Sequence, residues 1–214
     1  MTFQEYLREW SRLHGSASPT GLVRVWLRIA FSCATPIIRL NPNFITASAL
    51  LPMAAAIYLV QQPNPKYAVA SFLVLLVGFI DNFDGIVAVR TKRVTNWGAF
   101  LDAVVDRIID ICIGVLFFAI GSPLELVIFA VSLALIHEYM RAKASGIGLR
   151  EVGVITPAEK PTRIAIGVMF LLACGIMPAQ AVELATVASL TWLTIGVISF
   201  GILMRSYKKL LTRD

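Results

Sequence analysis

Six apolar runs, each close to the length of a bilayer crossing, constrain this chain more than anything else in it. They cover residues 44–60, 67–89, 98–120, 124–140, 164–177 and 181–204. Crossing the hydrocarbon core takes about 20 residues of helix, and the short first and fifth runs can recruit flanking residues. Composition closes off the other readings: 57% of the 214 residues are hydrophobic and 15% are charged, whereas a soluble domain carries about 25% charged residues. A soluble globular domain and a disordered chain are both excluded. The fold class that follows is an all-α integral membrane protein with six transmembrane helices.

The basic residues test that layout. Six spans put both termini on one side, together with the segments 90–97 and 141–163. Those four segments hold 17 of the 19 Lys and Arg residues. Lys66 lies on the opposite side and Arg107 within a span. The positive-inside rule makes the crowded side cytoplasmic, so the formal charge of +6 reflects topology in the cell membrane and not a nucleic-acid partner. One span more or fewer would destroy the asymmetry. Residues 21–40 stand apart, because Arg24, Arg28 and Arg39 interrupt their apolar pattern. Arg24 and Arg28 share a helix face while Val23, Trp26, Leu27 and Ile29 supply apolar surface, the pattern of an amphipathic helix on the cytoplasmic interface. The chain therefore divides into a cytoplasmic N-terminal segment with its interfacial helix (1–43), a six-helix membrane domain (44–204) and a cytoplasmic tail (205–214). Cys33, Cys112 and Cys174 sit in apolar stretches without metal-type spacing and read as small hydrophobes. The first residues lack the features of a secretory signal.

Five aspartates lie inside the second and third runs: Asp81, Asp84, Asp102, Asp106 and Asp110. A carboxylate in hydrocarbon costs several kcal/mol, and Arg107 alone cannot neutralise five. Asp81 and Asp84 are spaced i,i+3, and Asp102 and Asp106 i,i+4, so each pair shares a helix face. The two runs form an antiparallel hairpin about residues 90–97, which sets 84 level with 102 and 81 level with 106. Four carboxylates at one depth call for cations between them, and hard divalent ions with oxygen ligands, Mg²⁺ or Mn²⁺, suit that donor set. Two such ions about 4 Å apart would make a clamp for diphosphate chemistry. Gly85, Ala88 and Gly98 keep side chains away from the acids, which leaves room for a bulky ligand.

The sequence Asp81-x-x-Asp84-Gly85-x-x-Ala88, followed after nine residues by Gly98-x-x-x-Asp102-x-x-x-Asp106, resembles the signature of the CDP-alcohol phosphotransferases. Asn41-Pro42-Asn43-Phe44-Ile45-Thr46 is similar to the segment that opens their first span. The resemblance implies transfer of a phosphatidyl-type group from a CDP-linked donor such as CDP-diacylglycerol to an alcohol, with release of CMP. It implies metal ligation by Asp81, Asp84, Asp102 and Asp106, and Asp106 as the general base. Nucleotide contacts would come from Asp81, Asp84, Gly85, Ala88, Gly98 and Asp102, and the protein would be a homodimer. One position departs: Val89 stands where the signature has arginine, with Arg90 next and with Lys92 and Arg93 within reach.

A second segment, Tyr139-Met140-Arg141-Ala142-Lys143 with Glu159-Lys160-Pro161-Thr162-Arg163, resembles that of members using a phosphorylated acceptor, the phosphatidylinositol-phosphate synthases among them. It implies that Arg141, Lys143, Lys160 and Arg163 bind the phosphate of an acceptor such as inositol phosphate or glycerol phosphate. The same cations also satisfy the positive-inside rule and contacts to anionic lipid. Two other readings of the chain remain. One is a cation or proton transporter built on intramembrane acids, against which stand the absence of an internal repeat and the clustering of the acids towards one face. The other is an inactive family member with a structural role, motivated by Val89 and opposed by the four intact aspartates.

Overall fold

The structure is a computed structural model that describes residues 1–14, 21–149 and 154–212. Arg150, Gly153 and Arg213, and the side chains of Arg12, Val23 and Trp26, lie outside the described residues. Among those described there are helices and no strand: α1 (Phe3–His14), α2 (Gly21–Cys33), α3 (Pro42–Ser48), α4 (Leu50–Val60), α5 (Tyr67–Thr91), α6 (Asn96–Ile120), α7 (Leu124–Gly146), α8 (Lys160–Ile176) and α9 (Ala181–Leu211), with a 3₁₀ turn at Pro178–Gln180. Each of the six apolar runs is helical.

Among the described residues three helical stretches are long and apolar enough to cross a bilayer: Pro42–Val60, Tyr67–Thr91 and Pro178–Leu211. The helix α6 is also 25 residues long, but it carries Asp102, Asp106, Arg107 and Asp110. The helix α8 has 17 residues. Large apolar side chains such as Tyr58, Phe72, Phe118, Phe129 and Ile198 are exposed. In water a surface of that kind is an aggregation site; in lipid it is the expected exterior of an integral membrane protein.

Two compact units emerge from the packing. The first comprises Met1–Leu51 and Leu76–Asp106, the second Pro52–Leu75 and Arg107–Asp214. In the first, Asn41 caps α3 by accepting the Asn43 N–H at 3.0 Å, and Pro42 fills the first turn, where a missing N–H costs nothing. The helical ladder is interrupted at Ala49 between α3 and α4, because Pro52 has no N–H to offer the Ser48 carbonyl. Tyr6, Leu7, Leu27, Ala30, Ala34, Ile45, Ile86 and Val87 form the buried core, with Phe31, Phe83 and Val89 packed on it. Burial pushes the Tyr6 hydroxyl up to about 12.

The second unit is held by small residues and paired hydroxyls, as membrane helices are. The Ser71 hydroxyl donates to the Val168 carbonyl at 2.8 Å, and the Ser122 hydroxyl to Ser189 at 2.8 Å. A Cβ on Gly114 would lie 2.5 Å from Val131 Cγ2, an overlap that something must shift to relieve, and one on Gly175 would lie a tight 3.1 Å from the Ala68 backbone N. The helix α9 packs along α7 and α8 and runs on to Leu211, so much of the expected tail is helix. All three cysteines are free.

Candidate active site

The carboxylates occupy the end of the first unit where α5 and α6 are joined by the short loop after Thr91. Lys92 adopts a left-handed backbone (φ 57°), and the Arg93 N–H turns back to the Ala88 carbonyl at 2.8 Å, a C-terminal helix stop that satisfies an orphan acceptor. Asn96 then opens α6, and the Gly98 N–H donates to the Thr95 hydroxyl at 3.0 Å.

Within this frame Asp81, Asp102 and Asp106 converge. Each offers a carboxylate oxygen, and the three oxygens lie within 4.8 Å of one another, all partly exposed. At an effective dielectric of about 20, two unit charges at that spacing repel by roughly 3–4 kcal/mol. Three hard oxygen donors so placed fit a divalent cation of the Mg²⁺ or Mn²⁺ kind. Asp84 lies outside the triad and is only 6% exposed. Its carboxylate accepts a hydrogen bond from the Thr46 hydroxyl of α3 and another from the Gly85 N–H at 2.5 Å. The structure therefore ties α3 directly to Asp84 of α5.

Asp84 and Asp102 both face a cavity of about 300 Å³ lined by Pro42, Asn43, Thr46, Gly85, Ala88, Val89, Arg93, Val94, Thr95, Gly98 and Ala99. Five of the six residues expected at a nucleotide, Asp84, Gly85, Ala88, Gly98 and Asp102, thus share one wall space, while Asp81 belongs to the carboxylate triad. The departure at Val89 has a local account. Val89 packs on the apolar core beside α2 and lines the cavity with its remaining surface. Arg90 turns away: its guanidinium lies 4.3 Å from the Phe31 ring centre and donates to the Phe31 carbonyl and the Thr35 hydroxyl, each at 3.1 Å. Arg93 is the cation that faces the cavity.

The second unit holds the other expected residues. Arg141, near the end of α7, pairs with Glu159, whose Oε1 also accepts the Thr156 N–H at 2.9 Å and the Thr156 hydroxyl at 3.0 Å. Lys143 is exposed, and Lys160 opens α8. Arg163 is placed differently from a surface cation, being 1% exposed and forked onto Asp110 at 2.8 and 3.1 Å. Asp110 is equally buried, and a buried carboxylate needs such a partner. Nothing in the sequence named Arg163 as the partner of Asp110.

The sequence model of the CDP-alcohol phosphatidyltransferase family matches residues 39–202. The chain is 34% identical over 172 residues to an archaetidylinositol phosphate synthase of Aeropyrum pernix, covering 78% of this chain and 87% of that one. It is 32% identical to a phosphatidylinositol phosphate synthase of Cutibacterium acnes, over 58% of this chain and 65% of that one. A solved structure of Mycobacterium tuberculosis phosphatidylinositol phosphate synthase with CDP-DAG bound is similar in fold, with a TM-score of 0.62 at 22% identity, covering 82% of this chain and 94% of that one. The same enzyme with manganese and citrate gives a TM-score of 0.63, over 81% and 90% of the two chains.

Proposed function

The chain belongs to the CDP-alcohol phosphatidyltransferase family, and from that membership we propose that it moves a phosphatidyl-type group from CDP-diacylglycerol to a phosphorylated alcohol, inositol phosphate or glycerol phosphate, with release of CMP. The observation that carries this reading is the convergence of Asp81, Asp102 and Asp106 on two helices whose Asp84, Gly85, Gly98 and Asp102 line one cavity. The family is metal-dependent. The residues that would hold the ions, two of Mg²⁺ or Mn²⁺, are Asp81, Asp84, Asp102 and Asp106. When bound, divalent cations offset the charge of a diphosphate and open its phosphorus to attack.

The chain's own residues supply the rest. Gly85, Ala88 and Gly98 leave space for the nucleotide beside Asp84 and Asp102, and Thr46 fixes the Asp84 carboxylate in its orientation. Asp106 takes the proton from the acceptor hydroxyl as its oxygen bonds to phosphorus and the bond to CMP breaks, a general-base role within hydrogen-bond reach of substrate. Arg141, Lys143 and Lys160, with Arg163 beneath them, form the acceptor-phosphate end. The architecture we infer has six transmembrane helices over 44–204, an interfacial helix within 1–43 and both termini, with the site, on the cytoplasmic side. It is supported by the charge asymmetry of the loops, and the assembly is a homodimer.

Purified protein incubated with CDP-diacylglycerol, Mg²⁺ and a panel of alcohols and alcohol phosphates tests the proposal. CMP release should be strongest with a phosphorylated acceptor. No release with any acceptor would overturn it and favour a structural role for the chain.

A further inference from the structure

Four charges in the second unit close on one another. Asp110 of α6 forks onto Arg163 of α8; Arg163 Nη2 lies 3.7 Å from Glu138 Oε1 of α7; Arg107 Nη1 lies 3.4 Å from Glu138 Oε2; and Arg107 Nε returns to Asp110 at 3.3 Å. The ring is neutral, two acids against two bases, and its two deepest members are each 1% exposed. It joins three helices at one level. None of its members belongs to the carboxylate triad.

The ring is wired to the acceptor end by two short routes. Arg163 Nη1 also donates to the Ala158 carbonyl at 2.5 Å, and the Ala158 N–H donates to the Ser199 hydroxyl of α9 at 3.0 Å. Ala158 is therefore pinned from both sides, two residues before Lys160. Glu138 stands one turn of α7 before Arg141, whose partner Glu159 adjoins Lys160. A guanidinium with its fork spent on Asp110 and a third donor spent on a carbonyl is set up to hold backbone, not to receive a ligand.

We propose that Asp110 and Arg163 are positioning residues for acceptor recognition: their ring fixes the start of α8 against the end of α7, and so sets the spacing at which Lys160 and Arg141 meet the acceptor's phosphate. The proposal rests on the acceptor-phosphate reading given above. It departs from the sequence expectation by removing Arg163 from direct contact with that phosphate.

The test is steady-state kinetics on purified, folded variants. Asp110→Asn removes the forked partner of Arg163, leaving it only the longer 3.7 Å ionic contact to Glu138, and should raise KM for the alcohol phosphate about tenfold or more, because a misplacement of about 1 Å in a positioned group can cost that much. KM for CDP-diacylglycerol should stay within about twofold; a purely structural loss would move both. The double variant D110N/R163Q restores neutrality with an amide pair and should recover much of the acceptor affinity, as expected of coupled residues. If Arg163 itself bound the phosphate, the double variant would be no better than R163Q, and the proposal would fall. An unchanged acceptor KM in folded Asp110→Asn would also overturn it. Should that variant not fold, Asp110→Glu keeps the charge and shifts only the fork, and the same split in KM decides. The underlying reading fails separately: if the wild-type protein prefers a free alcohol while Asp110→Asn still raises that alcohol's KM alone, positioning stands and phosphate recognition does not.

Discussion

Gly85 and Gly98 look alike in the sequence and differ in what surrounds them. A Cβ on Gly85 would meet nothing within 4 Å, although the residue faces the cavity. On Gly98 it would come within 3.2 Å of both Asn43 Oδ1 and Thr95 Oγ1. Gly85→Ala should therefore fold at least as well as the parent, since alanine in a helix is worth about 0.5–1 kcal/mol over glycine. It should nevertheless weaken CDP-lipid binding about tenfold, because the added methyl takes up about the space of one ligand contact. Thermal unfolding and donor KM measured on the same sample separate the two effects; a donor KM that does not move would show that no ligand approaches this backbone. Asp106 carries a second expectation at this scale. Asp106→Asn keeps shape and removes the basic oxygen, so CMP release should drop by about 10²–10⁴, the usual weight of a general base. Retained turnover would make Asp106 a ligand only.

At the level of elements, α2 is held to α5 by a cation as well as by the apolar core the two share. Arg90 stacks on Phe31 and donates to the Phe31 carbonyl and to Thr35, which binds the end of α2 to the end of α5. A cation–π contact at a partly exposed site such as this is worth about 0.5–2 kcal/mol, and a hydrogen bond from a charged group adds to it. Arg90→Leu should loosen α2 selectively: amide exchange over 21–33 should speed up by about tenfold or more, roughly 1.4 kcal/mol of local stability, while α9 keeps its protection. Uniform loss of protection would mean that Arg90 holds the whole unit and not one helix. This contact was beyond the reach of the sequence. Spacing along a chain shows that Arg90 is rotated from position 89, but not that an aromatic ring 59 residues away awaits it. The helices themselves were legible because six apolar runs of bilayer length have one hydrogen-bonded solution in lipid. The break at Ala49 leaves no mark in the apolar pattern; its only signal in the sequence is Pro52.

For the whole molecule, the list of carboxylates was legible in the sequence and their division in space was not. Period and hairpin symmetry put Asp81, Asp84, Asp102 and Asp106 at one depth. They could not separate a triad within 4.8 Å from Asp84, which α3 holds through Thr46, because that depends on a hydroxyl 38 residues away. Nor could they show that the buried Asp110 is answered by Arg163. The division has a consequence for stability. Folding brings Asp81 of α5 up against Asp102 and Asp106 of α6, so the added repulsion opposes the folded state. A cation that binds only the folded state offsets it by linkage, and at a hundred times its Kd adds about 2.7 kcal/mol. A chain of this size moves its midpoint by about 2–4 °C per kcal/mol. Mg²⁺ or Mn²⁺ should then raise the unfolding midpoint of the purified protein by about 5–10 °C, and a chelator should reverse the shift and abolish CMP release together. In Asp102→Asn, where the triad loses a charge, the rise should shrink to a small fraction. In Arg141→Gln, which touches the other unit, it should be intact. If the cation leaves the wild-type midpoint where it was, or shifts Asp102→Asn equally, the three carboxylates are not its ligands and the metal site must be sought elsewhere.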